Sequence, residues 1–278
     1  RQAVIDRKSK LAHDLQLALD NDEFSIYLQP QISQKGVLCG AEALIRWIPP
    51  GKDPVSPGTF IPVAESTGLI LPIGEWVLNK ACDYLLELTS QQHLPDDFAL
   101  AVNISARQFN DDQFVQKVAA VIHQKGIDTR RLKLELTETS LVQDIKRGNM
   151  ILTELRQMGL SIELDDFGTG YSSLNSLNRL PLDTLKIDRS LVMGVETDHS
   201  SRAIVRAIIA MAKAMSLSVI AEGVETTEHG LMLLIMGCFT AQGYGIARPM
   251  PASEFPNWLH AYVPNQQWLD SGNTVRTK

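Results

Sequence analysis

The sequence predicts an α/β fold, a single-domain (β/α)8 TIM-like barrel, and three observations predict it. Eight short β-rich runs follow one another, with an amphipathic helical segment between most of them. The helical segments close on glycines, as at Gly126 and Gly159. The length, 278 residues, suits one barrel.

In chain order, residues 10–20 place Leu11, Leu15, Ala18 and Leu19 on one helical face, and 24–30 follows as the first strand. Further strands are expected at 40–47, 98–105, 131–138, 160–166, 183–188, 217–224 and 241–247. The helix in EWVLNKACDYLLEL spaces Trp76, Ala81, Tyr84, Leu85 and Leu88. DDQFVQKVAAVIHQKG aligns Phe114, Val118, Val121 and Ile122, and SRAIVRAIIAMAKAM aligns Ile204, Ile208, Ala212 and Met215. Strands separated by helices imply parallel pairing through right-handed crossovers. The same alternation also fits a doubly wound open sheet, over which the length favours the barrel. Residues 1–22 are expected to be a linker and first helix packing on the barrel, 23–262 the barrel itself, and 263–278 a polar tail that frays.

A net charge of −6 argues against a duplex nucleic-acid partner, which needs phosphates neutralised by Lys and Arg. Cys39, Cys82 and Cys238 form no C-x-x-C pair and read as reduced thiols, and the six histidines lack metal-binding spacing. No run approaches the ~20 apolar residues of a spanning helix. The chain opens at Arg1 without a signal peptide, so it is read as a cytoplasmic piece of a longer protein. Any membrane anchor or sensor then lies outside it, and this domain makes no membrane contact.

Strands of such a barrel are buried on both faces, so their interiors are expected to be apolar and functional groups to gather at their C-terminal ends. Polar groups do collect there: Glu42, Asn103, Glu135, Asp165 and Asp166, Lys186 and Asp188, then Glu222 and Glu225. Carboxylates and an amide converging without imidazole or thiolate make a hard oxygen site suited to Mg2+ or Mn2+. Adjacent Asp165 and Asp166 are placed to touch two ions, the arrangement that serves phosphodiester hydrolysis. Ca2+, with longer bonds and more ligands, is expected to inhibit. Lys186 in a barrel also fits an aldolase Schiff base, although neighbouring carboxylates should keep it protonated.

These residues resemble a known family. Glu42-Ala43-Leu44 with Ile45-Arg46-Trp47 looks like the signature of the EAL domains. It is joined in order by Gln29-Pro30, FIPVAE (60–65), VNIS (102–105), ELTE (135–138), DDFGTGYSSL (165–174), LKID (185–188), AEGVE (221–225) and QGY (242–244). The resemblance implies hydrolysis of cyclic di-GMP to linear 5′-pGpG by a two-metal-ion mechanism. It implies metal roles for Glu42, Asn103, Glu135, Asp165 and Asp166, Asp165 being the bridge. Lys186 and Glu222 would orient and deprotonate the attacking water, and Arg46 would meet a substrate phosphate. Gln29, Leu44, Asp188, Glu225 and Gln242 are carried over as pocket residues. The stretch from Phe167 through Gly168, Thr169 and Gly170 resembles a mobile loop that couples dimerisation to metal binding, with Glu138 holding it. A homodimer and preceding sensor or cyclase-like domains are implied too. A non-catalytic cyclic di-GMP receptor is the alternative. Departures touch loops only, at Ile48-Pro49-Pro50 with the GKDPVSP stretch and at Thr240-Ala241.

Overall fold

A computed structural model describes residues 2–142, 144–168 and 177–275. Its elements run α1 (Gln2–Asp20), β1 (Phe24–Ser33), β2 (Leu38–Trp47), α2 (Pro57–Thr67), α3 (Ile70–Gln91), β3 (Ala99–Ile104), α4 (Ala106–Phe109), α5 (Phe114–Lys125), β4 (Leu132–Thr137), α6 (Glu138–Val142), α7 (Ile145–Gln157), β5 (Ser161–Phe167), β6 (Thr184–Ile187), α8 (Arg189–Met193), α9 (His199–Ala214), β7 (Ser218–Ala221), α10 (Thr227–Met236), β8 (Thr240–Ala241), β9 (Met250–Pro251), α11 (Phe255–Ala261) and α12 (Gln266–Val275). Strands β2 to β8 pair in chain order, each parallel to the next, and β1 closes the ring between β8 and β2. The expected eight-stranded barrel is therefore the observed one.

One strand departs from the all-parallel expectation. β1 runs antiparallel to both neighbours. The chain turns from Ser33 to Leu38 through Gly36 at φ 65°, with Ser33 N donating to Val37 O. So short a connection can only return alongside, since a parallel crossover needs a dozen or more residues.

Strand alternation sorts the side chains into two layers. Leu100 and Val102, Leu132, Leu134 and Leu136, Ile162 and Leu164, and Leu185 and Ile187 are all buried in the apolar core. The alternate positions carry Ala101 and Asn103, Lys133 and Glu135, Glu163 and Asp165, and Thr184 and Lys186. An apolar barrel interior was expected, and mid-barrel it is polar instead. Glu163 is fully buried and its Oε1 lies 2.8 Å from Lys133 Nζ. The expectation fails because apolar packing is satisfied on the outward faces, and a paired cation offsets part of the cost of an inward charge.

The helices seal the outer layer. In α3 the buried stripe is Val77, Leu78, Ala81, Cys82, Leu85 and Leu88, with Trp76 and Tyr84 at its margin. In α9 it is Val205, Ile208, Ile209 and Ala212. Ile204, expected on that face, is exposed because it stands one residue, about 100° of helix, from Val205. Helix α1 buries Leu15 and Ala18. The C-terminal segment expected to fray instead holds α12, with Trp268 buried and its Nε1 donating to Thr227 O at 2.9 Å. That indole lies where a Cβ on Gly230 would come within 2.4 Å, so the absent side chain makes the seat. The three cysteines are free, and burial pushes their thiols up to about 11, 11 and 12. Among the described residues no helix is long and apolar enough to cross a membrane.

Candidate active site

Lys186 is the hub of the site. Its side chain is fully buried on β6, and its Nζ lies 2.6 Å from Glu222 Oε1, 3.0 Å from Glu135 Oε1, 3.4 Å from Glu42 Oε2 and 3.5 Å from Asp165 Oδ1. These partners come from β2, β4, β5 and the residue after β7, so only the closed barrel gathers them. Burial disfavours the ammonium, but Glu135, Glu42, Glu222 and Asp165 together outweigh it and hold Lys186 well above the usual lysine range. A lysine so held is a charge and not a nucleophile, which counts against the aldolase reading.

Neighbouring residues on a regular strand face opposite ways, yet Asp165 and Asp166 share this site. The reason is a break in the β5–β6 register between Leu164 and Phe167, with Asp166 in the left-handed region at φ 56°. Asp166 N donates to Asp165 Oδ1 at 2.9 Å. Carboxylate oxygens of Asp165, Asp166 and Glu222 come within 4.8 Å of one another. A non-glycine residue held there costs of order 1–3 kcal/mol and persists where the surrounding structure over-determines it.

Hydrogen bonds orient Glu42. Asn103 Nδ2 donates to Oε1 at 2.7 Å and Gln242 Nε2 to Oε2 at 2.5 Å. The first bond leaves Asn103 Oδ1 as that amide's acceptor. Burial raises the Glu42 carboxyl, while Lys186, Gln242 and Asn103 draw it below its usual range. Glu135 goes the other way. Burial, with Glu42 adding to it, holds Glu135 well above the usual carboxylate range, and apart from the Lys186 ammonium 3.0 Å from Oε1 its buried oxygens have no hydrogen-bond partner. Burial also raises Asp165 and Asp166, and pushes Glu222 up to about 8 against the pull of Lys186.

Five carboxylates thus face one ammonium. If all ionise, four negative charges stay uncompensated, which is the charge of two divalent cations. The donor set is oxygen only, and Glu135 offers a buried Oε2 without a partner, so the residues fit hard divalent ions.

A pocket of about 230 Å3 opens beside this cage. Gln29, Leu44, Glu225 and Gln242, all expected there, line it together with Glu42, Asp165 and Glu222. Gln242 Nε2 also donates to Gln29 Oε1 at 3.0 Å, and Gln29 Nε2 to Ala247 O at 3.1 Å. Arg46 is outside this lining. Its Nη1 donates to Ile45 O and its guanidinium lies 5.5 Å from the centre of the Tyr27 ring. Asp188 lies beyond the lining too, where its Oδ1 caps α8 by accepting from Ser190 N at 2.9 Å. Phe167 is buried at the end of β5, and Gly168, at φ 103°, has Leu191 and Ile208 where a Cβ would stand. Glu138 opens α6. Thr169 and Gly170 lie outside the described residues.

Sequence reasoning missed Arg189 and Tyr244, which line the pocket, and Gln31, whose Nε2 donates to Gln242 Oε1 at 2.9 Å. Two of them had a signal: Arg189 directly follows LKID, and Tyr244 completes the QGY motif.

Comparison with known proteins agrees with this geometry. The EAL domain family model matches residues 12–249. The chain is 41% identical over 246 residues to the bifunctional diguanylate cyclase/cyclic di-GMP phosphodiesterase MucR of Pseudomonas aeruginosa, covering 88% of this chain and 36% of that protein. It is 37% identical over 250 residues to the cyclic di-GMP phosphodiesterase PdeR of Escherichia coli, covering 90% and 37%. The chain thus spans about a third of the length of the curated relatives it matches. Among solved structures, the PaMucR phosphodiesterase in complex with c-di-GMP superposes with a TM-score of 0.85 at 40% identity, covering 88% of this chain and 99% of that one.

Proposed function

Since the chain belongs to the EAL domain family, we propose that it is a phosphodiesterase that opens one phosphodiester of cyclic di-GMP to give linear 5′-pGpG. The observation that carries this reading is the uncompensated charge of the cage: five oxygen-only carboxylates around one buried ammonium, at the floor of an open pocket. Glu42, Asn103, Glu135, Asp165 and Asp166 would hold two Mg2+ or Mn2+ ions, which supply Lewis-acid neutralisation of charge building on the phosphate.

The chain's own residues do the rest. Glu222 accepts a proton from the attacking water, whose oxygen bonds to phosphorus as the bond to the 3′ oxygen breaks and that oxygen takes a proton from solvent. Lys186, 2.6 Å from Glu222, holds that carboxylate in place. Burial is what lifts Glu222 to about 8, and cations on its neighbours would lower it toward the working range of a base. The amides of Gln29 and Gln242, cross-bonded to Glu42, shape the pocket wall. Asp165, beside Asp166, would be among the residues that hold the ions, and Ca2+ would compete without supporting turnover. Every acidic position needed for metal and base is filled, which favours an enzyme over a receptor.

The test is to incubate the purified chain with cyclic di-GMP and Mg2+ or Mn2+, beside an EDTA control, and separate the products. Metal-dependent pGpG is the expected result. Tight binding with no turnover at any metal concentration would reject the hydrolase in favour of the receptor.

A further inference from the structure

The carboxylate cage that suits cations repels a ligand carrying two phosphates. Among the described residues lining the pocket, Arg189 is the only cation. Its guanidinium donates to Glu225 Oε1 at 2.6 Å and stands 5.7 Å from the centre of the Tyr244 ring. The Arg248 guanidinium approaches the same ring to 4.3 Å. Tyr244 is 44% exposed, so an aromatic ring flanked by two guanidinium groups is presented at the pocket mouth.

Nothing in the core requires that stack, yet the backbone is arranged to hold it. The stem of Arg189 crosses Gly223, where a Cβ would come within 2.2 Å of Arg189 Cγ. Glu225, which grips its head, has its own N–H donating to Nδ1 of buried His229 at 3.3 Å. The segment carrying Tyr244 is locked onto the preceding loop. Val224 N donates to Gln242 O at 3.0 Å and Gly245 N to Val224 O at 2.8 Å. Gly243 and Gly245 let these backbones touch, since a Cβ on either would come within 2.2 or 2.8 Å of the Val224 or Glu225 main chain. An exposed aromatic held this firmly is preorganised for a ligand.

We propose that Arg189, Tyr244 and Arg248 form the arm that recognises one nucleotide of the substrate, the Tyr244–Arg248 stack taking a purine base and Arg189 the phosphate beside it. This rests on the phosphodiesterase reading above and deepens it by naming recognition residues for a purine cyclic dinucleotide. Base stacking on an aromatic ring is sequence-tolerant, and guanidinium groups add charge to the platform.

The test compares Tyr244→Leu, Tyr244→Phe and Arg248→Met with the unaltered chain. Cyclic di-GMP is one substrate. Bis(p-nitrophenyl) phosphate, a phosphodiester without purines, is the other. Binding of cyclic di-GMP with Ca2+ in place of Mg2+, so that the cage charge is offset without turnover, is measured by titration calorimetry, and folding is checked by thermal melting. For Tyr244→Leu, Kd and KM for cyclic di-GMP are expected to rise about 10- to 100-fold while kcat changes by less than about 3-fold. Tyr244→Phe should recover most of that affinity, and Arg248→Met should show the same split to a smaller degree. The loss on cyclic di-GMP should exceed that on bis(p-nitrophenyl) phosphate by about tenfold or more. Unchanged Kd and KM in both Tyr244→Leu and Arg248→Met, or equal losses on the two substrates, would overturn the arm and leave the phosphodiesterase reading standing. An unaltered chain that neither binds nor cleaves cyclic di-GMP would overturn both.

Discussion

Replacing Lys186 with methionine keeps most of the buried stem and removes the ammonium. In the structure that ammonium sits 2.6–3.5 Å from four carboxylate oxygens, all but one from groups at least as enclosed as Asp165. Deleting one partner of a buried ion pair leaves the other unpaired and costs roughly 3–5 kcal/mol. At roughly 2–4 °C per kcal/mol for a domain of this size, the midpoint in EDTA should fall by about 6–20 °C. The sign of the pH dependence follows from burial. Burial already holds Glu135, Asp165 and Glu222 above their usual range, and losing Lys186, which draws them down, raises them further, so the folded variant binds more protons than the unfolded chain and its stability drops as pH rises through that window. The deficit should therefore be smallest in mildly acidic buffer and largest in mildly alkaline buffer. Saturating Mg2+ should recover part of it by replacing the lost charge. Differential scanning fluorimetry of both proteins, with EDTA and with Mg2+, measures all three effects. A variant as stable as the parent in alkaline EDTA would refute the charge argument.

Three further outcomes are expected. Glu222→Gln should lose about 10²- to 10⁴-fold in turnover while still binding cyclic di-GMP, read by product chromatography and calorimetry; turnover near the parent's would remove Glu222 as the base. Gly243→Ala drives a Cβ to 2.2 Å from both N and O of Val224, rigid main-chain atoms, so a loss of about 1–3 kcal/mol and a sharp fall in activity should appear together. Parental melting and turnover would show that those backbones do not touch in solution. Trp268→Ala empties the seat of α12 on α10, worth about 3–5 kcal/mol for a buried aromatic. Because that helix lies outside the strand ring, the effect should be early proteolytic cleavage beyond residue 262, seen by mass spectrometry, with turnover little changed; an unaltered digestion pattern would contradict the docking.

The sequence by itself determined the alternation of strands and helices and, through its length, favoured the barrel over an open sheet, because strand signals, helical periodicity and glycine stops are local patterns that barrel closure does not overrule. It also marked Glu42, Asn103, Glu135, Asp165, Asp166, Lys186 and Glu222, since polar residues at strand ends stand out against apolar neighbours. Only the tertiary structure decided what those residues do to one another. Lys186 is the hub of four carboxylates because the ring closes, and no linear reading gives distances across a barrel. The register break that turns Asp166 toward Asp165 is a backbone event that an Asp-Asp pair does not announce. The polar interior around Glu163 and Lys133 escaped because burial on both faces was equated with apolarity, and a paired charge satisfies burial as well. Helix α12 escaped because its docking depends on one tryptophan meeting a distant glycine. Arg189 and Tyr244 were in view as letters, but their meeting over the pocket depends on glycine contacts between two loops. Such long-range backbone contacts carry no local periodicity, and the folded chain alone reveals them.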